Sequence, residues 1–486
     1  METMGVISIV IFFAAVIASI RGWIPQRVLP IQSTLVLAGF AIILIGIVFN
    51  RVPCPGEYIS LTYMHPITAT IVGFIFAGAL KSAGGFDAAA QLIRKITKTR
   101  FGYPFAIILL VNIPIIFAMP CGRIWVSPLM PVALFLGFDI ALEKNDMTMP
   151  AMVVFGMIVN AAASCAPSLI GGIGIIGEGL GGYPSGSFSN HHQIAIMVIT
   201  VITMLLVNRM YSIEVKHTTV ESSIDTGPRE VPKFGYFSLG FFVLCIGLTV
   251  LIRPAFTLQA ILLIMTVVLM FLARLSFMDL IQGIMLHPLT AMVAGFFMGG
   301  VLKAFGGFDV LMSLLDFTAL NTPLGYIGVA VIIIYLPIIF PMPCGRIIAV
   351  TLIPAVVMLG ETLNQVTGFS GAGAALLVSF ILAGAASCAP SPIGGIGGIG
   401  AGNLRLQVSS VGKSMSMGIF IGVPVAALTV SLLGLAESLF TLPLSVIALS
   451  VGVLCGISIN MMFGEKFHHA GGIMGGLAVG ALIILF

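Results

Sequence analysis

Met119-Pro120-Cys121-Gly122-Arg123 returns 223 residues later as Met342-Pro343-Cys344-Gly345-Arg346. Each copy lies between two apolar segments. Proline and glycine interrupt a helix there, and the arginine adds a permanent charge. Unpaired backbone and charge are both costly against hydrocarbon, so each copy is expected to line a cavity rather than face lipid. Two copies imply a two-fold site.

The surrounding chain has the composition of a membrane. Of 486 residues, 59% are hydrophobic and 8% are charged, against roughly 25% charged in a soluble domain. The apolar runs are long and continuous, near the roughly 20 residues of a spanning helix, which favours helices over a barrel whose strands alternate. The formal charge of +4 is spread over short loops, so nothing points to nucleic acid. Val6 to Ile20 is preceded by Glu2 and followed by Arg21, which reads as a retained helix rather than a signal peptide. Seven cysteines, four of them repeat partners inside apolar sequence (Cys121, Cys165, Cys344, Cys388), form no disulfide framework.

Outward from the first signature, the pattern predicts spanning helices near 4–20, 29–49, 65–82, 150–176 and 193–212, then again near 235–252, 255–275, 287–303, 371–397 and 413–434. The two apolar arms of 103–137 are short and no polar loop separates them; a re-entrant hairpin fits better than two crossings. His65-Pro66 and Gly84-Gly85-Phe86-Asp87 return 222 residues later, and Ser164-Cys165-Ala166-Pro167-Ser168 returns at 387–391, displaced by 223. This is a duplication. The segment Phe86 to Arg100 is basic and amphipathic, whereas its copy Phe308 to Thr322 has no Lys or Arg and carries Asp309 and Asp316. The positive-inside rule then puts the copies on opposite faces. Five crossings per half agree with inversion, with Arg21, Arg27, the polar linker, Arg274, Arg405 and Lys466 cytoplasmic and both termini outside. The expected architecture is an all-α polytopic membrane protein of two inverted-topology repeats, 1–212 and 235–434. Each has about five spanning helices and one hairpin. A cytoplasmic linker, 213–234, joins them, and two extra C-terminal helices occupy 435–486, giving twelve spans in the inner, cytoplasmic membrane of the cell.

Each repeat has a second break, Ser164 to Gly174 and Ser387 to Gly397. Proline and glycine there predict an unwound helix with open carbonyls and hydroxyls. Hydroxyls and carbonyls suit Na⁺, and half-helix N-termini suit an anion; the bland alternatives are close helix packing and serine back-bonding. Gly172-Ile-Gly174-Ile-Ile-Gly177 matches a dinucleotide pattern but lacks the required strand-turn-helix, so it is rejected. Arg123 and Arg346 favour an anionic substrate, bound through a planar fork, or else tie down neighbouring carbonyls. His65 and His287 read as interface anchors, Asp87 and Asp309 as helix caps or interfacial acids, His191-His192 as a solvated loop end, and Glu178 as a gate or proton carrier. No catalytic constellation points to an enzyme.

A basic amphipathic segment, a hairpin ending in Pro128-Leu-Met-Pro-Val132, and a helix unwound at Gly-Gly-Ile-Gly together resemble the ion transporter superfamily. The likeness is closest to its divalent anion:sodium symporters and dicarboxylate carriers, over most of 60–205 and 282–430. It implies a substrate site from the hairpin tips, Pro120, Cys121, Gly122, Arg123, Pro343, Cys344, Gly345 and Arg346, with Ser168 and Ser391. It implies Na⁺ ligands from the unwound helices: Ser164, Ala166, Gly171, Gly172 and Gly174, with Ser387, Ala389, Gly394, Gly395 and Gly397. It also implies a homodimer with elevator-like movement. The family's Asn and Thr at the tip are missing here, and an arginine at 4 Å repels a cation by about 4 kcal/mol even at an effective dielectric of 20. The expected function is secondary active transport of a small organic anion such as a di- or tricarboxylate, with Na⁺ or H⁺ as coupling ion and no other cofactor or metal. Membrane lipid and the anion are the expected partners. The alternative is a cation/proton antiporter.

Overall fold

The computed structural model describes residues 2–24, 30–49, 65–99, 102–118, 123–146, 148–167, 172–184, 186–211, 230–252, 258–283, 286–322, 325–340, 345–390, 396–397, 404, 408–439, 444–463 and 469–485. Every regular element among them is an α-helix. The first half contains α1 (Glu2–Ile20), α2 (Ile31–Val48), α3 (His65–Ser82), α4 (Gly85–Ile96), α5 (Gly102–Ile116), α6 (Arg123–Lys144), α7 (Thr148–Ala163), α8 (Ile173–Leu180) and α9 (Ser189–Tyr211). The second contains α10 (Gly235–Ile252), α11 (Leu258–Leu272), α12 (Phe277–Gly283), α13 (Leu286–Ala304), α14 (Gly307–Asn321), α15 (Gly325–Ile339), α16 (Arg346–Thr367), α17 (Ala372–Ala386) and α18 (Val408–Leu439). The pair α19 (Leu444–Phe463) and α20 (His469–Leu485) closes the chain. Most of the linker, with Arg27, Arg405 and Lys466, lies outside the described residues.

The chain is a helical membrane protein. Among the described residues, six helices are individually long and apolar enough to cross a bilayer: α1, α2, α9, α16, α18 and α19. Their outer faces expose large apolar side chains, such as Phe40 and Leu44 on α2, an arrangement that only a nonpolar solvent tolerates. The expected twelve full spans are not reached by length. Helices α7 and α17 stop at Ala163 and Ala386, short of the expected 176 and 397, because each is broken there.

The helices that flank each signature are unequal. Both α5 and α15 have 15 residues, about 22 Å at 1.5 Å per residue and short of a roughly 30 Å hydrocarbon core. Both α6 and α16 have 22 residues, about 33 Å. They outrun the roughly 14 apolar residues that follow each tip, because helix formers such as Glu143, Lys144 and Glu361 extend the helix past the point where hydropathy falls. They stop where a left-handed residue follows, Asn145 at φ 54° and its repeat partner Gly368 at φ 66°.

Helices α4 and α14 start alike. Gly84 and Gly306 adopt φ of 82° and 76° without a side-chain cap, so glycine, not the expected aspartate, occupies the cap. Asp87 and Asp309 stand in the first turn, where they complement the helix dipole. The turn bends α14 by 75° from α13. On α4, Phe86 and Ile93 are buried while Lys95 and, just past the helix, Lys98 face out, and the Arg94 guanidinium lies 5.7 Å from the Phe135 ring centroid.

Packing is reciprocal between the halves. Helix α1 lies on α14 and α2 on α13; equally, α10 lies on α4 and α11 on α3. The contacts match in detail. A Cβ on Gly5 would lie 2.6 Å from the Gly306 carbonyl oxygen, and one on Gly235 would lie 2.7 Å from that of Gly84. Three residues on, Ser8 Oγ and Ser238 Oγ back-bond to the Gly5 and Gly235 carbonyls. Helix α9 packs on its counterpart α18, where Gly422 meets Ile199, a residue paired with its own repeat partner. Helices α7 and α17 are buried along nearly their whole length and touch each other, so the two broken helices form the centre.

Candidate functional site

The central feature is a pair of matching junctions. In the first, α7 ends at Ala163, Ser164 Oγ donates to the Ala161 carbonyl at 2.8 Å, and Cys165 Sγ donates to Ala162 at 3.3 Å. The chain then returns so that the Ile173 N–H donates to the Cys165 carbonyl at 2.9 Å and Gly174 N–H to Ala166 at 3.1 Å. In the second, Ser387 Oγ donates to Gly384 at 2.8 Å and Cys388 Sγ to Ala385 at 3.4 Å. Ile396 N–H reaches the Cys388 carbonyl at 3.2 Å, and Gly397 N–H reaches Ala389 at 3.0 Å. Each break is thus a loop tied at its neck by two backbone bonds. A Cβ on Gly174 would stand 2.2 Å from the Ala166 oxygen, and one on Gly397 2.3 Å from that of Ala389; the neck closes only with glycine.

The neck bonds engage the carbonyls of Ala166 and Ala389, expected as ion ligands, and the Ser164 and Ser387 hydroxyl protons are spent on their own helices. Both hydroxyl oxygens keep lone pairs for a cation. Gly172 is the extended residue before α8, with φ −83° and ψ 178°. Ser168, Gly171, Ser391, Gly394 and Gly395, and the tip residues Pro120, Cys121, Gly122, Pro343 and Cys344, lie outside the described residues.

One contact joins tip to break. Gly345 lies so close to α17 that a Cβ would fall 1.7 Å from the Gly384 oxygen and 2.3 Å from Ser387 Oγ. Arg123 and Arg346 are the first residues of α6 and α16. Both therefore stand at the positive end of a helix, a place where cations are disfavoured and anions favoured.

The first repeat adds a buried polar strip. Asn160 on α7 donates through Nδ2 to Asn112 Oδ1 on α5 and Thr200 Oγ1 on α9, both at 3.1 Å. Gln193 Nε2 donates to the Ile115 carbonyl at 2.8 Å, one of the carbonyls that α5 leaves unpaired as it ends near the tip. Ser189 Oγ takes the Pro167 carbonyl of the break at 2.7 Å. In the second repeat Tyr335, Ala383, Val423, Ser416 and Gly412 stand at the partners of Asn112, Asn160, Thr200, Gln193 and Ser189. Reading for hydropathy missed this strip; aligning the halves at 223 residues and asking where a polar residue faces an apolar partner would have found most of it.

Two expectations change. His191-His192 is not a solvated loop end: α9 starts at Ser189 rather than 193, which puts both in its first turns, and His192 is fully buried. Glu178 on α8 accepts the Gly186 N–H at 2.5 Å and the Phe188 N–H at 2.8 Å, which makes it a latch at the start of α9. Helix α8 packs on α16 and α17 of the other repeat. Beyond it, burial first and the Glu361 carboxylate second raise the Tyr183 phenol above its ordinary pKa.

No protein-family model matches the chain, and no curated protein matches it.

Proposed function

We propose that the chain is a secondary active transporter of a small organic anion of the di- or tricarboxylate kind. In this reading it is built from two inverted repeats, each with a re-entrant hairpin, and works as a homodimer by elevator-type alternating access. One observation carries the reading: an arginine opens α6 and α16 at the end of a short apolar arm, and the second such tip rests on an unwound helix at the centre of the molecule. Guanidinium, helix N-terminus and open backbone together favour a carboxylate over a cation. The reciprocal packing of the halves fits two half-sites brought together about one axis. In the α1/α2 and α10/α11 pairs the reading finds the scaffold, and in the hairpins and broken helices the moving body.

Cation/proton antiport would need a buried acid to exchange its proton for a cation. The acid on α8, Glu178, is already held by two backbone amides, and no observation favours that alternative.

The test is thermal stabilisation of the purified protein by a panel of carboxylates, with and without Na⁺, repeated on Arg123→Gln and Arg346→Gln. The expected outcome is stabilisation of the wild type by at least one carboxylate and its loss in both variants at unchanged ligand-independent melting. Variants that melt lower without ligand yet keep the carboxylate shift assign the arginines to bracing. Absence of carboxylate uptake into liposomes under any Na⁺ or pH gradient would overturn the reading.

A further inference from the structure

The two repeats fill the same space differently. In the first, Met149 and Met152 on α7 and Met204 on α9 are buried. Alanine stands at all three partner positions, Ala372, Ala375 and Ala427, and Ala330 on α15 replaces the buried Ile107 of α5. Where these four alanines meet, between α15, α16, α17 and α18, the second repeat has a cavity of about 220 Å³. The correspondence is direct. In the first repeat a Cβ on Gly156 would lie 2.7 Å from Met204 Cγ and 3.5 Å from Val111 Cγ1. The partners of those three residues, Ser379, Ala427 and Ile334, all line the cavity. Ser379 also keeps it open, because its Cβ stands where a methionine at 427 would have to pack.

The wall of the cavity is dry. Its three hydroxyls donate to their own helices, Ser379 to Ala375 at 2.7 Å, Thr367 to Leu363 at 2.6 Å and Ser431 to Ala427 at 2.9 Å. The rest of the lining is hydrocarbon. An apolar cavity of roughly 150 Å³ already excludes water and takes up benzene or xenon, and left empty it forfeits the dispersion contacts of its whole lining. The mouth is equally telling. In the first repeat α20 lies on α5, where a Cβ on Gly475 would stand 3.2 Å from Cδ1 of the buried Ile108. Val331 is the partner of Ile108, yet it is 45% exposed, and Ile327 one turn earlier is 67% exposed. Both also line the cavity. It therefore opens where the first repeat carries its roof, on a face of α15 whose surroundings are the bilayer.

We infer that this cavity is a lipid site: an acyl chain of a bilayer phospholipid enters past Ile327 and Val331 and fills the space that three methionines fill in the first repeat. The methionine side chain is unbranched and flexible, which suits it to an irregular gap, and an acyl chain has the same two properties. The wall offers no charge and no free hydroxyl proton that would select an anion or the polar surface of a protein. Lipid thus completes the packing of α15 against α17 and α18, a task that the chain's own side chains perform in the first repeat. The inference stands independently of the transporter reading.

The test uses full-length protein in nanodiscs of phosphatidylcholine that carries a photoreactive diazirine midway along one acyl chain, with the adducts located by peptide mass spectrometry. In the wild type, adducts form on Leu376 and Ser379, which are buried in the wall, as well as on lipid-facing residues such as Leu44 of α2. Ala372→Met and Ala375→Met together copy the first repeat and occupy the space. In that variant the adducts on Leu376 and Ser379 are lost while those on Leu44 persist. A variant that keeps the buried adducts overturns the inference. So does a wild type labelled on Leu44 but not in the wall, a result that needs no variant to fold. Labelling of the wall that vanishes when two copies associate in one disc assigns the opening to a second copy of the chain and likewise overturns it.

Discussion

Gly345 and Gly179 set the limits of what one atom can do in this molecule. At Gly345 a methyl group would overlap the Gly384 carbonyl and Ser387 Oγ, and backbone cannot move aside as a flexible side chain would. Gly345→Ala is expected to cost about 1–3 kcal/mol, read as a lower melting temperature of the detergent-solubilised protein together with lost carboxylate stabilisation. Gly179, half a turn from the end of α8, has nothing within 4 Å of a Cβ. There alanine relieves the helix of a glycine, and melting should stay level or rise slightly. Equal effects at the two positions would mean that the tip does not rest on the break. Asn160 is a second decisive residue. Truncating it to alanine copies its partner Ala383 but strands Asn112 Oδ1, and is expected to destabilise by about 1–3 kcal/mol; unchanged melting would remove the strip from the account.

Among elements, the C-terminal pair shows how a membrane protein packs without a hydrophobic driving force. Helices α19 and α20 meet through Gly452 and Gly456 on one and Gly472, Gly476 and Gly480 on the other. A Cβ on Gly476 would stand 2.0 Å from the Gly452 oxygen. Small residues let the backbones touch, and dispersion over that contact holds the pair. The pair docks on α5, the short helix before the first signature, where Gly475 meets Ile108 and Phe105. Gly476→Leu should therefore separate α19 from α20 and loosen α5 as well. Faster hydrogen exchange in all three helices, with α15 unchanged, is the expected result. Loosening confined to α20 would detach the pair from α5.

For the whole molecule, the exchange of α1/α2 and α10/α11 between halves means that neither repeat buries its own connecting helices. The duplicated units should therefore fail to fold separately. The proposed inversion is testable through the two amphipathic helices. Single cysteines at the exposed positions Lys98, just past α4, and Asn321, at the end of α14, placed in a cysteine-free background, should react with a membrane-impermeant maleimide from opposite sides. Labelling from one side would make the repeats parallel and remove the inverted architecture.

Much of the fold was legible in the chain because its signals are local. Apolar runs set the helices, so α3 and α10 begin and end where hydropathy puts them. Proline and glycine set the breaks after Ala163 and Ala386, since a missing N–H or Cβ acts on its own turn. The duplication is legible as spacing. Left for the tertiary structure were the burial of His192, the Asn112–Asn160–Thr200 strip, the latch at Glu178, the docking of α19 and α20, and the exchange between halves. All depend on which face of a helix meets which neighbour. In a soluble protein an amphipathic stripe would announce that face. Here lipid is as apolar as the interior, so helices such as α5 and α17 read alike all the way round, and only packing distinguishes the side that touches protein from the side that touches membrane.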